Sequence, residues 1–85
     1  MTIKMDRFGK MLISRPAGRE AFLVTKAYIL SDKQEPLELD FADVAVLAPS
    51  WADEFISGLK TITKDIKYIN TDNASVKSTL EIIGK

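Results

Sequence analysis

The 85-residue sequence contains neither cysteine nor histidine. Without cysteine it can form no disulfide, no thiolate metal site and no cysteine nucleophile. Without histidine it also lacks the commonest general base and the commonest transition-metal ligand of proteins. Triad-type hydrolysis and conventional zinc chemistry are therefore excluded.

The sequence also lacks an excess of charge of either sign, because 12 Lys and Arg residues balance 12 Asp and Glu residues. This balance argues against nucleic acid or an anionic membrane as the main partner, since both attract strongly basic proteins. Residues 1–10 contain no apolar signal region, and no apolar run approaches the roughly 18 residues of a membrane span. We expect a soluble, cytoplasmic protein that forms one domain over residues 1–85.

Strand patterns occur in several short stretches. In Leu37–Phe41, apolar and acidic residues alternate with the period of two that is typical of a half-buried strand, and Val44–Leu47 extends the apolar run. Thr2–Met5 suits an edge strand, and Ile66–Asn70 suits a further strand. The run Met11–Ile13 is too short to distinguish a strand from a piece of helix.

A first helix is predicted from Ser14, its N-cap, to about Leu30, with Pro16 tolerated in the first turn. Its second half carries more apolar residues than one buried face requires. Either these residues form an ordinary half-exposed flank, with Tyr28 among them, or they form a dimer or partner surface. Ser31–Glu35 is predicted to be a connection.

A second helix is predicted from Trp51 to about Thr63, with Ser50 as its N-cap because Pro49 ends the preceding strand. Gly58 inside this helix indicates a close approach to a neighbouring backbone. Four residues at spacings of four, four and three form the face predicted to meet the sheet: Trp51, Phe55, Leu59 and Ile62.

A last helix is predicted to begin after three candidate caps, Thr71, Asp72 and Asn73, and to close at Gly84. The order of strands and helices predicts an α/β fold with a sheet of about four strands flanked by three helices. Its strands are expected to pair in parallel.

The start of the second helix is the candidate functional site, because ligands and partners of open α/β sheets bind beyond the strand ends. Asp53 and Glu54 lie in its first turn, where they complement the helix dipole. Adjacent helical residues point about 100° apart, so we do not expect the two carboxylates to converge on one atom as metal ligands must. Glu54 could pair with Arg15. Trp51 could be a core residue or a binding hot spot.

The run LDFADVAVLAPSWADEF, residues 39–55, resembles the signature of STAS-like domains, small bacterial relatives of the anti-sigma-factor antagonists. Ser14, Arg15, Gly18 and Ile66–Asn70 also resemble the family pattern. The resemblance implies a small sheet flanked by helices, no catalytic activity and no cofactor. It further implies a regulatory or signalling role in which a histidine-kinase-like ATPase binds residues 48–55. The site residues carried over are Pro49, Ser50, Trp51, Asp53, Glu54 and Arg15, with no metal site.

In the better-known antagonists, the loop before this helix reads D-S-S/T-G, and the partner kinase phosphorylates the first serine. In this chain Pro49 takes the phosphoacceptor place and Ser50 that of the second serine. Proline cannot be phosphorylated. We therefore predict that Ser50 is unmodified and structural, although a phosphate there would add nearly two negative charges beside Asp53 and Glu54.

Two other classes of function remain open. One is a nucleotide-binding or small enzymatic domain, although the sequence has no Gly-rich phosphate loop, no nucleophile–base pair and no metal cluster. The other is a homodimer that uses the apolar first helix, which is compatible with an interaction module.

Overall fold

The computed structural model describes residues 1–29 and 36–84. The predicted connection Ser31–Glu35 and the predicted helix end at Leu30 lie outside these residues. Five short strands, three α-helices and two other helical segments follow one another along the chain. They are β1 (Thr2–Lys4), a 3₁₀ helix (Met5–Phe8), β2 (Met11–Leu12), α1 (Arg15–Val24), a π-helix (Thr25–Ile29), β3 (Leu37–Asp40), β4 (Val46–Leu47), α2 (Pro49–Lys60), β5 (Ile66–Ile69) and α3 (Ala74–Ile82).

The strands form two small sheets in which every described pair is parallel. The first sheet has the order β1-β3-β5, and the second has the order β2-β4. The α/β fold with three α-helices is confirmed, and β1 is an edge strand as predicted. The run at Met11 forms a strand, so the described residues contain five strands, slightly more than the four expected.

β3 and β4 are separate strands, which corrects the prediction of one apolar run continuing from Leu37 to Leu47. Asp43 has a positive φ of 68°, and the Val44 N–H donates to the Phe41 carbonyl at 3.1 Å, so the chain turns between β3 and β4. Phe41 and Val44 are both buried although they are three residues apart. A period-two strand cannot place residues with this odd spacing on one face.

α1 begins as predicted, because the Ser14 hydroxyl accepts a hydrogen bond from the Ala17 N–H at 3.3 Å. The α-helical winding ends at Val24, and the chain continues as a π-helix over Thr25–Ile29. The prediction of a single α-helix to Leu30 therefore missed the change of winding. The exposed side chains Leu23, Val24 and Tyr28 lie in this half of the helix.

α2 begins at Pro49, which corrects the predictions that Ser50 is its N-cap and that Asp53 and Glu54 lie in its first turn, which contains no acidic residue. Ala48 occupies the N-cap position and makes no side-chain capping bond. Proline has its φ fixed near the helical value and lacks the N–H that would go unpaired at N1, so it suits the first helical position. At the other end, Thr61 is the C-cap, and Ile62, predicted for the buried face, is 46% exposed.

α3 begins after Asn73, one of the three predicted caps, whose side-chain oxygen accepts from the N–H groups of Ser75 and Val76. Side chains in its first turns also form hydrogen bonds with the backbone of β4 at Leu47. The Ser75 hydroxyl accepts from the Leu47 N–H at 3.0 Å and donates to the Leu47 carbonyl at 3.3 Å, while Thr79 donates to the same carbonyl at 2.5 Å. Hydroxyl groups thus occupy the place of a neighbouring strand.

The hydrophobic core joins one face of the first sheet to the helices, as the spacing in α2 predicted. Trp51, Phe55 and Leu59 are buried together with Leu37 and Leu39 of β3. The opposite sheet face is polar except for Ile69, and on it the Thr2 hydroxyl donates to the Glu38 carboxylate at 2.7 Å. No helix in the described part of the chain is long and apolar enough to cross a membrane.

Two glycines determine how α1 and α2 pack. A Cβ added at Gly18 would lie 2.5 Å from the Trp51 carbonyl oxygen, so α1 crosses the start of α2 in backbone contact. A Cβ added at Gly58 would lie 2.7 Å from the Phe22 ring. The predicted close approach at Gly58 therefore involves a side chain, and the backbone approach occurs at Gly18.

Candidate functional site

The candidate site is the start of α2, residues 48–55, together with Arg15 at the beginning of α1. Pro49 is exposed, and Ser50 beside it is half-buried. The Ser50 hydroxyl donates to the Ile13 carbonyl at 3.1 Å. This bond ties the first turn of α2 to the segment that leads into α1, so Ser50 has a structural role other than the predicted cap.

Arg15 connects the two helices through both carboxylates of the site. Its Nη1 atom donates to Asp53 Oδ2 at 3.0 Å and to Glu54 Oε2 at 2.6 Å. The pair between Arg15 and Glu54 is the one that the sequence left possible. The expectation that Asp53 and Glu54 would not converge on one atom is wrong, because the long Arg15 side chain places a single nitrogen within reach of both carboxylates. The Ser57 hydroxyl donates to Oδ1, the other carboxylate oxygen of Asp53, at 3.1 Å.

These bonds keep the site charged. Hydrogen bonds to Asp53 and then to Glu54 raise the pKa of Arg15 above its ordinary value. Hydrogen bonds from Arg15 and then from Ser57 lower the pKa of Asp53. The Arg15 and Asp53 side chains are each about half exposed, so solvent screens the attraction. The network therefore orients a charged surface more than it stabilises the fold.

Trp51 belongs to the core. Its side chain is 2% exposed and stacks on Phe55 with ring centroids 5.0 Å apart, while Phe8 lies 6.0 Å away. Of the two roles that the sequence left open, the core role is the one its burial supports. The residues that the site presents to solvent are Pro49, Arg15 and the two carboxylates.

An open groove between α1 and α2 adjoins these carboxylates, and sequence reasoning missed it. Arg19 borders it, and its Nη1 atom lies 4.0 Å from Glu54 Oε1, the outer limit of an ion pair. Gly58 inside α2 was the one sequence signal for it, since a missing side chain leaves space on a helix surface. The lining residues are Arg19, Phe22, Asp53, Glu54, Ser57, Gly58 and Thr61.

A second polar cluster, also missed, lies where β3 and β5 end. Asp40 Oδ1 accepts from Asn70 Nδ2 at 2.8 Å and from the Ala42 N–H at 2.9 Å, which lowers the pKa of Asp40. Asn70 has a positive φ of 56°. These bonds close the loops after the strands. Residues 1–29 and 36–84 contain no group of three His, Cys, Asp or Glu residues that could hold a metal ion.

The family model of a STAS-like domain of unknown function, DUF4325, matches residues 22–76. The chain belongs to this STAS-like family. The match covers more than half of the chain and includes the whole α2 start of this STAS-like domain, whereas Arg15 precedes the matched segment. The family resemblance that the sequence indicated is thereby confirmed. No curated protein and no solved structure matches the chain.

Proposed function

We propose that this STAS-like domain is a non-catalytic regulatory module that binds a partner protein through residues 48–55 and Arg15. The observation that carries the proposal is the network in which Arg15 holds both Asp53 and Glu54 on an exposed surface. Charged groups fixed in this way favour selective docking, because like charges on a wrong partner are repelled.

The partner class is proposed from the family resemblance: a histidine-kinase-like ATPase or an associated regulator. The domain would bind this partner without being phosphorylated by it. Two features support a docking role over a phosphorylation switch. The family resemblance assigns Pro49 to the phosphoacceptor place, and the hydroxyl of Ser50 donates to the Ile13 carbonyl.

The experiment is native mass spectrometry of the tagged protein, gently isolated from its own cells. We expect an identified ATPase to co-purify with the wild-type chain, and the released chain to have an unmodified mass. A wild-type chain without an ATPase, alone or as a homodimer, would contradict the proposal. A phosphoryl group located on Ser50 would contradict binding without phosphorylation.

Two double variants locate the docking surface. Asp53→Lys with Glu54→Lys should remove the ATPase, because the substitutions reverse the charge of the site. Asp65→Lys with Glu81→Lys makes the same change in net charge at exposed positions outside the site and should retain the ATPase. Equal retention by both variants would place the docking surface elsewhere.

Nucleotide binding, the alternative class, has its own measurement. Thermal unfolding of the purified domain is followed with increasing ATP or GTP, and a ligand that binds only the folded chain raises the melting temperature. We expect no saturable increase. A saturable increase would replace the interaction module with a nucleotide-binding domain.

A further inference from the structure

The segment before α1 forms an open edge of the molecule. β2 pairs with β4 on one side, and no strand lies on its other side in the part of the chain that the structure describes. The carbonyls of Lys10 and Leu12 accept hydrogen bonds from the residues flanking and within β4. Because strand backbone groups alternate in direction, those of Met11 point to the open side.

The side chains along this edge are apolar and unusually exposed. Met11 is 63% exposed and Ile13 is 46% exposed, while Leu12 between them is buried. Alternate residues of an extended chain lie on one side, so Met11 and Ile13 present a pair of apolar side chains to solvent. A peptide that extends the sheet could cover both.

The same segment is basic although the whole chain is neutral. Residues 1–14 contain three Lys and Arg residues against one acidic residue, Asp6. Arg15 and Arg19 face the carboxylates of α2, but Arg7 and Lys10 are exposed and have no ion-pair partner within 4.0 Å among the described residues. Two cations without an ion pair therefore precede the exposed apolar pair: Lys10 comes directly before Met11, and the Arg7 guanidinium lies 6.0 Å from the centroid of the Phe8 ring.

We propose that the β2 edge, defined as Arg7, Lys10, Met11 and Ile13, binds an extended acidic segment of a partner protein as an added strand. The partner's backbone bonds to Met11, its carboxylates face Arg7 and Lys10, and its apolar residues cover Met11 and Ile13. Strand addition takes its affinity from main-chain hydrogen bonds and its specificity from alternate side chains. This surface adjoins residues 48–55, because the Ile13 carbonyl accepts from the Ser50 hydroxyl, but its residues are different ones.

Protection of an edge against aggregation is the other known use of a basic residue there. That role accounts for Lys10 but not for the exposure of Met11 and Ile13, because a protective edge gains nothing from apolar side chains. Charge complementarity selects an acidic occupant, and the open backbone selects an extended one.

The test uses the full chain and a blocked octapeptide of alternating valine and glutamate. Amide chemical shifts locate the site, and fluorescence anisotropy of the labelled peptide measures the affinity. We expect saturable shifts centred on Met11. Arg7→Glu with Lys10→Glu should weaken binding about tenfold or more, whereas Lys60→Glu with Lys77→Glu, the same charge change at other exposed positions, should leave it unchanged.

Two comparisons separate strand addition from simple attraction of charges, and a third tests the sign of the charge. Met11→Ser, which retains the charges, should also weaken binding. N-methylation of alternate peptide amides should abolish binding, and a valine–lysine octapeptide should not bind. The proposal would be overturned by an absence of binding at millimolar peptide, by indifference to N-methylation, or by tighter binding of single-stranded DNA than of the acidic peptide.

Discussion

The Cα of Gly18 in α1 faces the backbone of Trp51 in α2 so closely that a Cβ at position 18 would lie 2.5 Å from the Trp51 carbonyl oxygen. Gly18→Ala must therefore push the helices apart or distort one of them. We expect a loss of about 1–3 kcal/mol in the free energy of unfolding, typical of overpacking. Urea denaturation measures this loss.

Gly58→Ala is the matched control, because it adds the same methyl group at a second helix contact. Its new Cβ would meet the ring of Phe22, a half-buried side chain, and not a backbone. The Phe22 side chain must shift, because its Cγ and both Cδ atoms would lie within 3.0 Å of the new Cβ. Alanine favours the helix by up to about 1 kcal/mol and offsets part of this cost, so we expect a smaller loss than for Gly18→Ala. A loss for Gly58→Ala as large as that for Gly18→Ala would contradict this explanation.

Thr25 is fully buried at the start of the π-helix, and its hydroxyl has no hydrogen-bond partner among the described residues. A buried hydroxyl without a partner costs about 1–3 kcal/mol of desolvation. Thr25→Val retains the branched shape and removes the hydroxyl, so we expect the melting temperature to rise. Thr79→Val is the control, for which we expect the melting temperature to fall, because the substitution removes the hydrogen bond from the Thr79 hydroxyl to the Leu47 carbonyl.

Ser50→Ala tests the structural role of the site's serine. It removes the bond to the Ile13 carbonyl, and because the residue is only half-buried we expect a loss of about 1 kcal/mol. Recovery of the co-purifying ATPase should equal that of the wild-type chain. Loss of the ATPase with an unchanged fold, judged by the amide spectrum, would show that the hydroxyl acts in binding.

The Arg15 network predicts how stability depends on pH. Because Arg15 lowers the pKa of Asp53 in the folded chain, the stabilisation is present above the ordinary aspartate value of about 3.9 and is lost as the pH falls below it. Arg15→Gln should reduce this acid-induced loss, measured by urea denaturation at a series of pH values. The Asp53 carboxyl resonance should titrate at a higher pH in the variant.

Asp40 provides the internal control for that titration. Its pKa is lowered mainly by Asn70 and the Ala42 N–H, which Arg15 does not touch. The Asp40 resonance should therefore titrate at the same pH in Arg15→Gln and in the wild-type chain. A parallel change in both residues would indicate a general loss of structure.

Local sequence signals predicted the elements that depend on local chemistry. Ser14 was predicted as a cap, and Asn73 was one of three candidates, because such side chains bond to N–H groups two or three residues away. The start of α2 was predicted too late, because Ser50 suits an N-cap and Pro49 suits the first helical position, and the sequence does not choose between them. A helix that begins with proline at N1 can form without a side-chain cap. The π-helix after Val24 has no sequence signal of its own.

Contacts between distant segments were harder to predict. The pair of Arg15 with Glu54 was named as possible on the condition that both helices start near the same end of the sheet. The second contact, with Asp53, depends on the length and rotamer of Arg15, which no spacing rule determines. The separate β2-β4 sheet depends on the turn at Asp43, where an αL conformation redirects the chain.

The hydroxyl groups of Ser75 and Thr79, which bond to the backbone of Leu47, limit the growth of the second sheet. A fibril grows by adding strands at both edges of a sheet, and α3 occupies one edge of this one. Pairing through β2 can therefore join only one further strand or one further copy at this sheet. Pairing of β2 with β2 of a second copy uses the open edge of this sheet in both copies, so that contact by itself does not propagate a polymer.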